Sequence, residues 1–187
     1  MAKNAYLVGL RLDGRKVVVI GGGTVAQRRL PLLIASGADV HVIARAVTPA
    51  IEVMNRITLS LRDYRDGDLD DAWYAIAATN DADVNAAVVA EAERRRIFCV
   101  RADIAVEGTA VTPASFDYAG LAVGVLAGGE HRRSAAIRSA IHEALLEGAI
   151  VPEQLESLDS SQVVQGGVAL VGGGPGDPEL ITVRGRR

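Results

Sequence analysis

The sequence predicts an α/β fold: a parallel, doubly wound sheet followed by a small α+β lobe. Three observations carry that expectation. Short apolar runs alternate with amphipathic helical stretches over the first hundred residues, the pattern of strand–helix–strand units. Only 4% of residues are aromatic while 49% are hydrophobic, a mix that suits close contacts between small helix and sheet side chains. A triglycine, Gly21-Gly22-Gly23, separates the first apolar run from the first helical stretch.

The elements follow in order. Lys16–Ile20 is apolar and ended by glycine, and reads as a buried strand. Val25–Ser36 places Leu30, Leu33 and Ile34 at helical spacing, with Gly37 as the C-terminal cap and Pro31 predicting a bend or irregularity. Asp39–Ala44 and Ile57–Leu61 read as the second and third strands, and Asp66–Asp71 as a solvated acidic turn. Trp73–Ala78 is the fourth strand. Asn80 or Asp81 can cap a helix over Ala82–Arg95, whose arginine-rich end suits the negative pole of its dipole. Ile97–Arg101 is the fifth strand. Beyond Asp103 the text changes to short β segments with turns, then a helix over Glu130–Leu146. Residues 151–166 are polar and serine-bearing, as linkers are, and 167–187 open another strand and glycine loop. The expected layout is therefore a nucleotide-binding domain over 1–112, a lobe over 113–150, a linker over 151–166 and a final piece over 167–187.

A net charge of −3 argues against a general nucleic-acid binder. A single cysteine, Cys99, excludes an internal disulfide framework and fits a reducing compartment; its place in a strand pattern makes it a core residue rather than a ligand. No stretch approaches the roughly 20 apolar residues of a membrane helix, and the N-terminus has no signal-peptide pattern. The chain reads as soluble and cytoplasmic.

Gly21, Gly22, Gly23 and Ala26 match the G-x-G-x-x-G/A pattern of Rossmann-like dinucleotide sites. Gly21 permits the tight turn, Gly23 lets the backbone approach a pyrophosphate, and Ala26 allows close helix–strand packing. The acid that binds the ribose 2′-hydroxyl at the end of the second strand is missing; Arg45 stands there instead. An arginine at that point suits a 2′-phosphate, or is simply solvated, so spacing leaves NAD and NADP both open. No CxxC, HExxH or paired-histidine spacing predicts a resident metal. His41 and His142 read as structural.

The motifs VVVIGGGTVAQRRLPLLIASGADV, WYAIAATNDADVNAAV, RRRIFCVRAD and VGVLAGG together make residues 4–147 similar to the precorrin-2 dehydrogenase/sirohydrochlorin ferrochelatase part of siroheme synthases. The tail VALVGGGPGDPELITVRGRR resembles the opening of the uroporphyrinogen-III methyltransferase domain fused behind that part, and is too short to methylate anything itself. The resemblance implies two reactions. Precorrin-2 gives a hydride to NAD and loses a proton, and the resulting sirohydrochlorin takes up Fe²⁺ as substrate to give siroheme. It also implies NAD rather than NADP, and cofactor contacts at Thr24, Val25, Arg45, Ala46, Ala78 and Thr79. Asp103, just past the fifth strand, would face the crevice outside the strands' carboxyl ends and matches the family's catalytic aspartate, against the alternative of a loop cap.

The tetrapyrrole substrate carries eight carboxylates. Arg132, Arg133 and Arg138 near the start of the last helix, with His131 beside them, can bind several of these, and Gly128-Gly129 can offer N–H groups to another; the alternative is a solvated basic face. The resemblance further implies a homodimer built from the second lobe, whose apolar strand and helix face lack obvious partners in a monomer. The chain departs from the family at three points. Val100 follows Cys99 where an asparagine is common, Ala127 stands where enteric members carry a regulatory serine, and Glu-His-Arg-Arg follows Gly128-Gly129. The departures leave dehydrogenation more secure than chelation.

Overall fold

In the computed structural model, residues 5–150 are described; the expected linker and tail lie outside them. The chain divides into two compact units between Ser139 and Ala140.

The first unit is built on five parallel strands: β1 (Lys16–Ile20), β2 (Asp39–Ala44), β3 (Ile57–Leu61), β4 (Tyr74–Ala77) and β5 (Phe98–Arg101), in the order β3-β2-β1-β4-β5. β1 is central because its side chains are apolar on both faces. Val17 and Val19 enter one core layer with Leu30, Leu33, Val40 and Ile51; Val18 and Ile20 enter the other with Ala75, Val88, Ala92 and Cys99. A strand buried on both sides must read as a continuous apolar run rather than an alternation, and β1 does. The strand order reverses between β1 and β4, so a crevice opens where those two strands end.

Helix α1 (Thr24–Ala35) begins one residue earlier than expected and includes Pro31. Leu30 and Leu33, both buried, sit on either side of that proline. Their burial outweighs the ~3 kcal/mol that an interior proline costs a helix. The helix ends in a Schellman motif: Gly37 donates to Ile34 O (3.1 Å) and Ala38 to Leu33 O (3.3 Å), with Gly37 at φ +77°. A short helix, α2 (Pro49–Glu52), was not expected. Its signals were present in sequence as Thr48 followed by Pro49, and Ile51 anchors it in the core.

Helix α3 (Ala82–Arg95) has the predicted bounds and is capped by Asp81, whose carboxylate accepts from the N–H groups of Asp83 and Val84. β4 and β5 are shorter than predicted, leaving Trp73, Ala78 and Ile97 outside. The turn Asp66–Asp71 is only partly solvated: Leu69 is fully buried in the core and the Arg62 fork grips Asp68 at 2.7 and 2.8 Å. Glu91 of α3 is also fully buried. It accepts from Gly67 N–H (2.9 Å), Arg95 Nε (2.7 Å) and the Tyr64 hydroxyl, which ties the post-β3 loop to the helix. Burial and the Glu91 partner push the Tyr64 phenol up from its ordinary value. Glu91→Ala takes the acceptor from Gly67 N–H and the Tyr64 hydroxyl, while Arg95 keeps Asp70, and is expected to lower the unfolding free energy in urea by about 3 kcal/mol.

After β5, the expected β segments resolve into a 3₁₀ turn at Ala105–Glu107, a lone bridge between Val100 and Ala110, and a hairpin. The hairpin pairs β6 (Ala114–Tyr118) with β7 (Leu121–Val125). Ala119 and Gly120, both at positive φ, join them in the manner of a type I′ turn. Helix α4 (His131–Leu146) follows a loop in which Gly128 (φ +57°) and Gly129 (φ +95°) turn the chain, and Ser134 Oγ accepts from Ala127 N–H at 3.1 Å. Among the described residues no helix is long and apolar enough to cross a membrane.

Candidate functional site

A cleft of about 470 Å³ lies at the carboxyl edge of the sheet. Its floor is Ile20 and the triglycine. One wall is Ile43 to Thr48 after β2, the opposite wall Ala78 to Asp81 after β4, and Arg62, Asp63 and Tyr64 close the side beyond β3.

Each glycine is required for a different reason. Gly21 has φ +118°, and a Cβ there would fall 2.6 Å from the Ala78 carbonyl carbon. Gly22 packs against the other wall, where a Cβ would lie 2.6 Å from Val47 Cγ1; its carbonyl accepts from Thr48 N–H at 2.9 Å. Gly23 is exposed and a Cβ added there meets nothing within 4 Å, so only something entering the cleft would require its bareness. It is the N-cap of α1, with no side-chain cap and no acid in the helix's first turn. Among the described residues, neither a capping side chain nor a first-turn acid meets the positive end of the α1 dipole and its free N–H groups. A glycine floor, an uncapped helix start and a groove of this volume fit a dinucleotide's pyrophosphate.

The sequence-derived contacts Gly21, Gly22, Gly23, Arg45, Ala46, Ala78 and Thr79 all line this cleft. Thr24 and Val25 head α1 just behind it. Asp103 does not line it, but stands two residues past β5 on the same carboxyl edge, and Ala102 N–H donates to Ala77 O at 2.9 Å to carry the pairing onward. Arg101, 5% exposed, holds both Asp103 oxygens in a fork at 3.1 Å, and also reaches Glu107 (2.6 Å) and Ala82 O (3.0 Å).

The cleft wall is braced by Asn85, a fully buried residue of α3 that the sequence motifs do not single out. Its Oδ1 accepts from Thr79 N–H (3.0 Å) and Thr79 Oγ1 (2.8 Å), and its Nδ2 donates to Thr79 O (3.1 Å). One signal pointed to it. Asn85, Val88, Val89 and Ala92 fall at i, i+3, i+4 and i+7, so a polar residue sits on a buried stripe.

The hydrogen bonds from Arg101 outweigh partial burial and hold the Asp103 carboxyl below the usual carboxylate range. A depressed folded-state value means stabilisation that is present above the ordinary carboxylate pKa of about 4 and lost as pH falls through the folded value. The stability gap between wild type and Asp103→Asn is therefore expected to be constant from pH 7 to 5 and to close below pH 4, as read by urea unfolding at each pH.

Gly128, Gly129, His131, Arg132 and Arg133 do not line the cleft. Arg132 and Arg133 are exposed at the start of α4, with Arg133 3.8 Å from Glu130, and Arg138 donates to Ser139 Oγ. Cys99 is fully buried, and burial pushes its thiol up to about 11, which leaves it inert as a nucleophile or ligand. His41 pairs with Asp39 at 3.0 Å on β2.

A family model described as NAD(P)-binding matches residues 8–114, more than half of the chain. The chain belongs to this NAD(P)-binding family. Within the wider set of relatives, it is 30% identical to siroheme synthase 1 of Yersinia enterocolitica over 93% of its length and 48% of that protein's. Against siroheme synthase 2 of Klebsiella pneumoniae it is 38% identical over 64% of its own length and 27% of that protein's. The chain thus spans about half or less of the curated relatives it matches. Among solved structures, SirC, a precorrin-2 dehydrogenase, superposes with a TM-score of 0.62 at 26% identity, covering 74% of this chain and 70% of that one. The NAD(P)-binding match falls on the parallel sheet, the triglycine floor and the Asp103 edge together, so family and cleft point to the same site.

Proposed function

We propose that this NAD(P)-binding chain dehydrogenates precorrin-2 to sirohydrochlorin with NAD, and that Fe²⁺ insertion to siroheme follows on the same protein. The observation that carries the reading is the Arg101 fork on Asp103, which holds an ionised carboxylate at the carboxyl edge of the sheet that also bears the dinucleotide cleft. Likeness to siroheme synthases and to a precorrin-2 dehydrogenase supports the substrate.

The residues that would hold the cofactor are Gly22 and Gly23 beneath the pyrophosphate, the Thr24 and Val25 N–H groups at the helix start, Arg45 and Ala46 at the ribose end, and Ala78 and Thr79 along the other wall. When bound, the nicotinamide supplies the acceptor for the hydride. Dehydrogenation removes two electrons and two hydrogens from the substrate: one leaves as hydride and one as a proton. Asp103 takes that proton. Held low by Arg101, it is ionised at neutral pH and so empty to receive; with its side chain 30% exposed, it passes the proton on to water. Metal entry releases two pyrrole protons, and the same carboxylate relieves them in turn. Arg132 and Arg133, with His131 and the Gly128-Gly129 N–H groups, would meet substrate carboxylates. The segment from residue 113 to 150 would form the dimer lobe.

The test is an anaerobic absorbance assay of the chain with precorrin-2 and NAD⁺, followed by Fe²⁺. The sirohydrochlorin spectrum should appear with NADH, and the siroheme spectrum after iron. A chain that binds NAD⁺ by calorimetry yet turns over no precorrin-2 would be a nucleotide sensor, and the enzymatic reading would fall. Turnover without accelerated iron uptake would confine the activity to dehydrogenation.

A further inference from the structure

The side of the cleft beyond β3 holds charges that the proposed chemistry does not use. Arg62 N–H donates to Ala44 O at 3.0 Å, which carries the β2–β3 pairing one residue past the strand, and Arg62 Nη1 donates to Asp63 O at 3.0 Å. Asp63 is thereby pinned beside the tip of β2. Dinucleotide-binding folds of this kind place there the acid that accepts from the ribose hydroxyls, and this chain has arginine at that position. Arg45 Nε lies 3.3 Å from Asp63 Oδ1, and both residues line the cleft. The other arginine of the lining, Arg62, has its fork occupied by Asp68.

We propose that Asp63, delivered from the tip of β3, replaces the missing β2 acid: it accepts a hydrogen bond from the adenosine ribose 2′-hydroxyl and selects NAD against NADP. The inference rests on the reading that this cleft holds a nicotinamide dinucleotide. A 2′-phosphate offers no donor to Asp63 and brings further negative charge against it. The two arginines of the lining already face carboxylates, so neither stands free to offset that repulsion. The Arg45–Asp63 pair is exposed on both sides, 73% and 77%, so it contributes little to folding. Substitution there alters ligand choice without unfolding the protein.

Calorimetric titration of the full chain with NAD⁺ and with NADP⁺ tests this in wild type, Asp63→Asn, and Asp63→Asn combined with Arg45→Ala. Wild type should bind NAD⁺ the more tightly, by tenfold or more. Asp63→Asn should narrow that ratio about tenfold, equivalent to about 1.4 kcal/mol, chiefly by tightening NADP⁺. The double variant should lose the gain for NADP⁺, because the freed Arg45 guanidinium is what would meet the phosphate. If Asp63→Asn leaves the ratio unchanged while wild type binds NAD⁺, or if wild type prefers NADP⁺, the assignment of Asp63 is wrong and the cleft reading stands. If wild type binds neither dinucleotide, the cleft reading itself is wrong and this assignment goes with it.

Discussion

Asp103→Asn should lower the rate of precorrin-2 oxidation by about 10²–10⁴-fold, the range associated with losing a positioned general base, while NAD⁺ affinity stays near wild type and the chain, less stable only by the increment the ionised carboxylate adds at neutral pH, remains folded. The amide is isosteric and still accepts one hydrogen bond from Arg101, which also keeps Glu107 and the Ala82 carbonyl as partners. The buried guanidinium is therefore not abandoned, and an activity loss cannot be ascribed to collapse. Asp103→Ala is the harsher version, because it also removes a partner from Arg101. Since Asp103 does not line the cleft, cofactor binding should survive both substitutions. Paired measurements of single-turnover oxidation and NAD⁺ binding decide the matter. Undiminished turnover in Asp103→Asn would leave the residue as a cap of its loop, with the Arg101 fork serving stability alone.

The second large effect separates glycines that read alike in sequence. Gly21→Ala and Gly22→Ala should each destabilise the chain by about 3 kcal/mol, enough to lower the thermal midpoint by several degrees. In both, the new methyl runs into backbone or side-chain atoms that are part of the opposing walls, and Gly21 is also at a φ that L-residues avoid. Gly23→Ala should cost no more than about 1 kcal/mol, the change from a favoured to a poor N-cap residue, because the methyl meets no protein atom and the φ of −83° is ordinary. Its NAD⁺ affinity should nevertheless fall by about 10–100-fold, or about 1.4–2.8 kcal/mol, because a methyl there intrudes where the pyrophosphate approaches the backbone. Equal effects of the three alanines on stability, or an unchanged Kd for Gly23→Ala, would contradict a cleft built around a ligand at that point.

Much of the scaffold was legible in the sequence. β1, β2, β3 and α3 have the bounds that apolar runs and caps predicted, because strand cores, N-caps and glycine stops are written in residues within a few positions of one another. Packing overrode the local rule at Asp66–Asp71, where Leu69 pulls an expected solvated turn into the core; Pro31 lies inside α1, as expected, between leucines that are buried.

The amino-acid string by itself determined that a glycine floor follows a buried strand and opens a helix, and that an aspartate follows the fifth strand. Strand order decided the rest. Only once β3 lies against β2, and β4 between β1 and β5, does Asp63 reach Arg45 and does Arg101 reach the Ala82 carbonyl. Those partners are 18 residues apart in one case and 19 in the other. Periodicity specifies which face of an element is buried, but which elements become neighbours is settled by the packing of all of them at once.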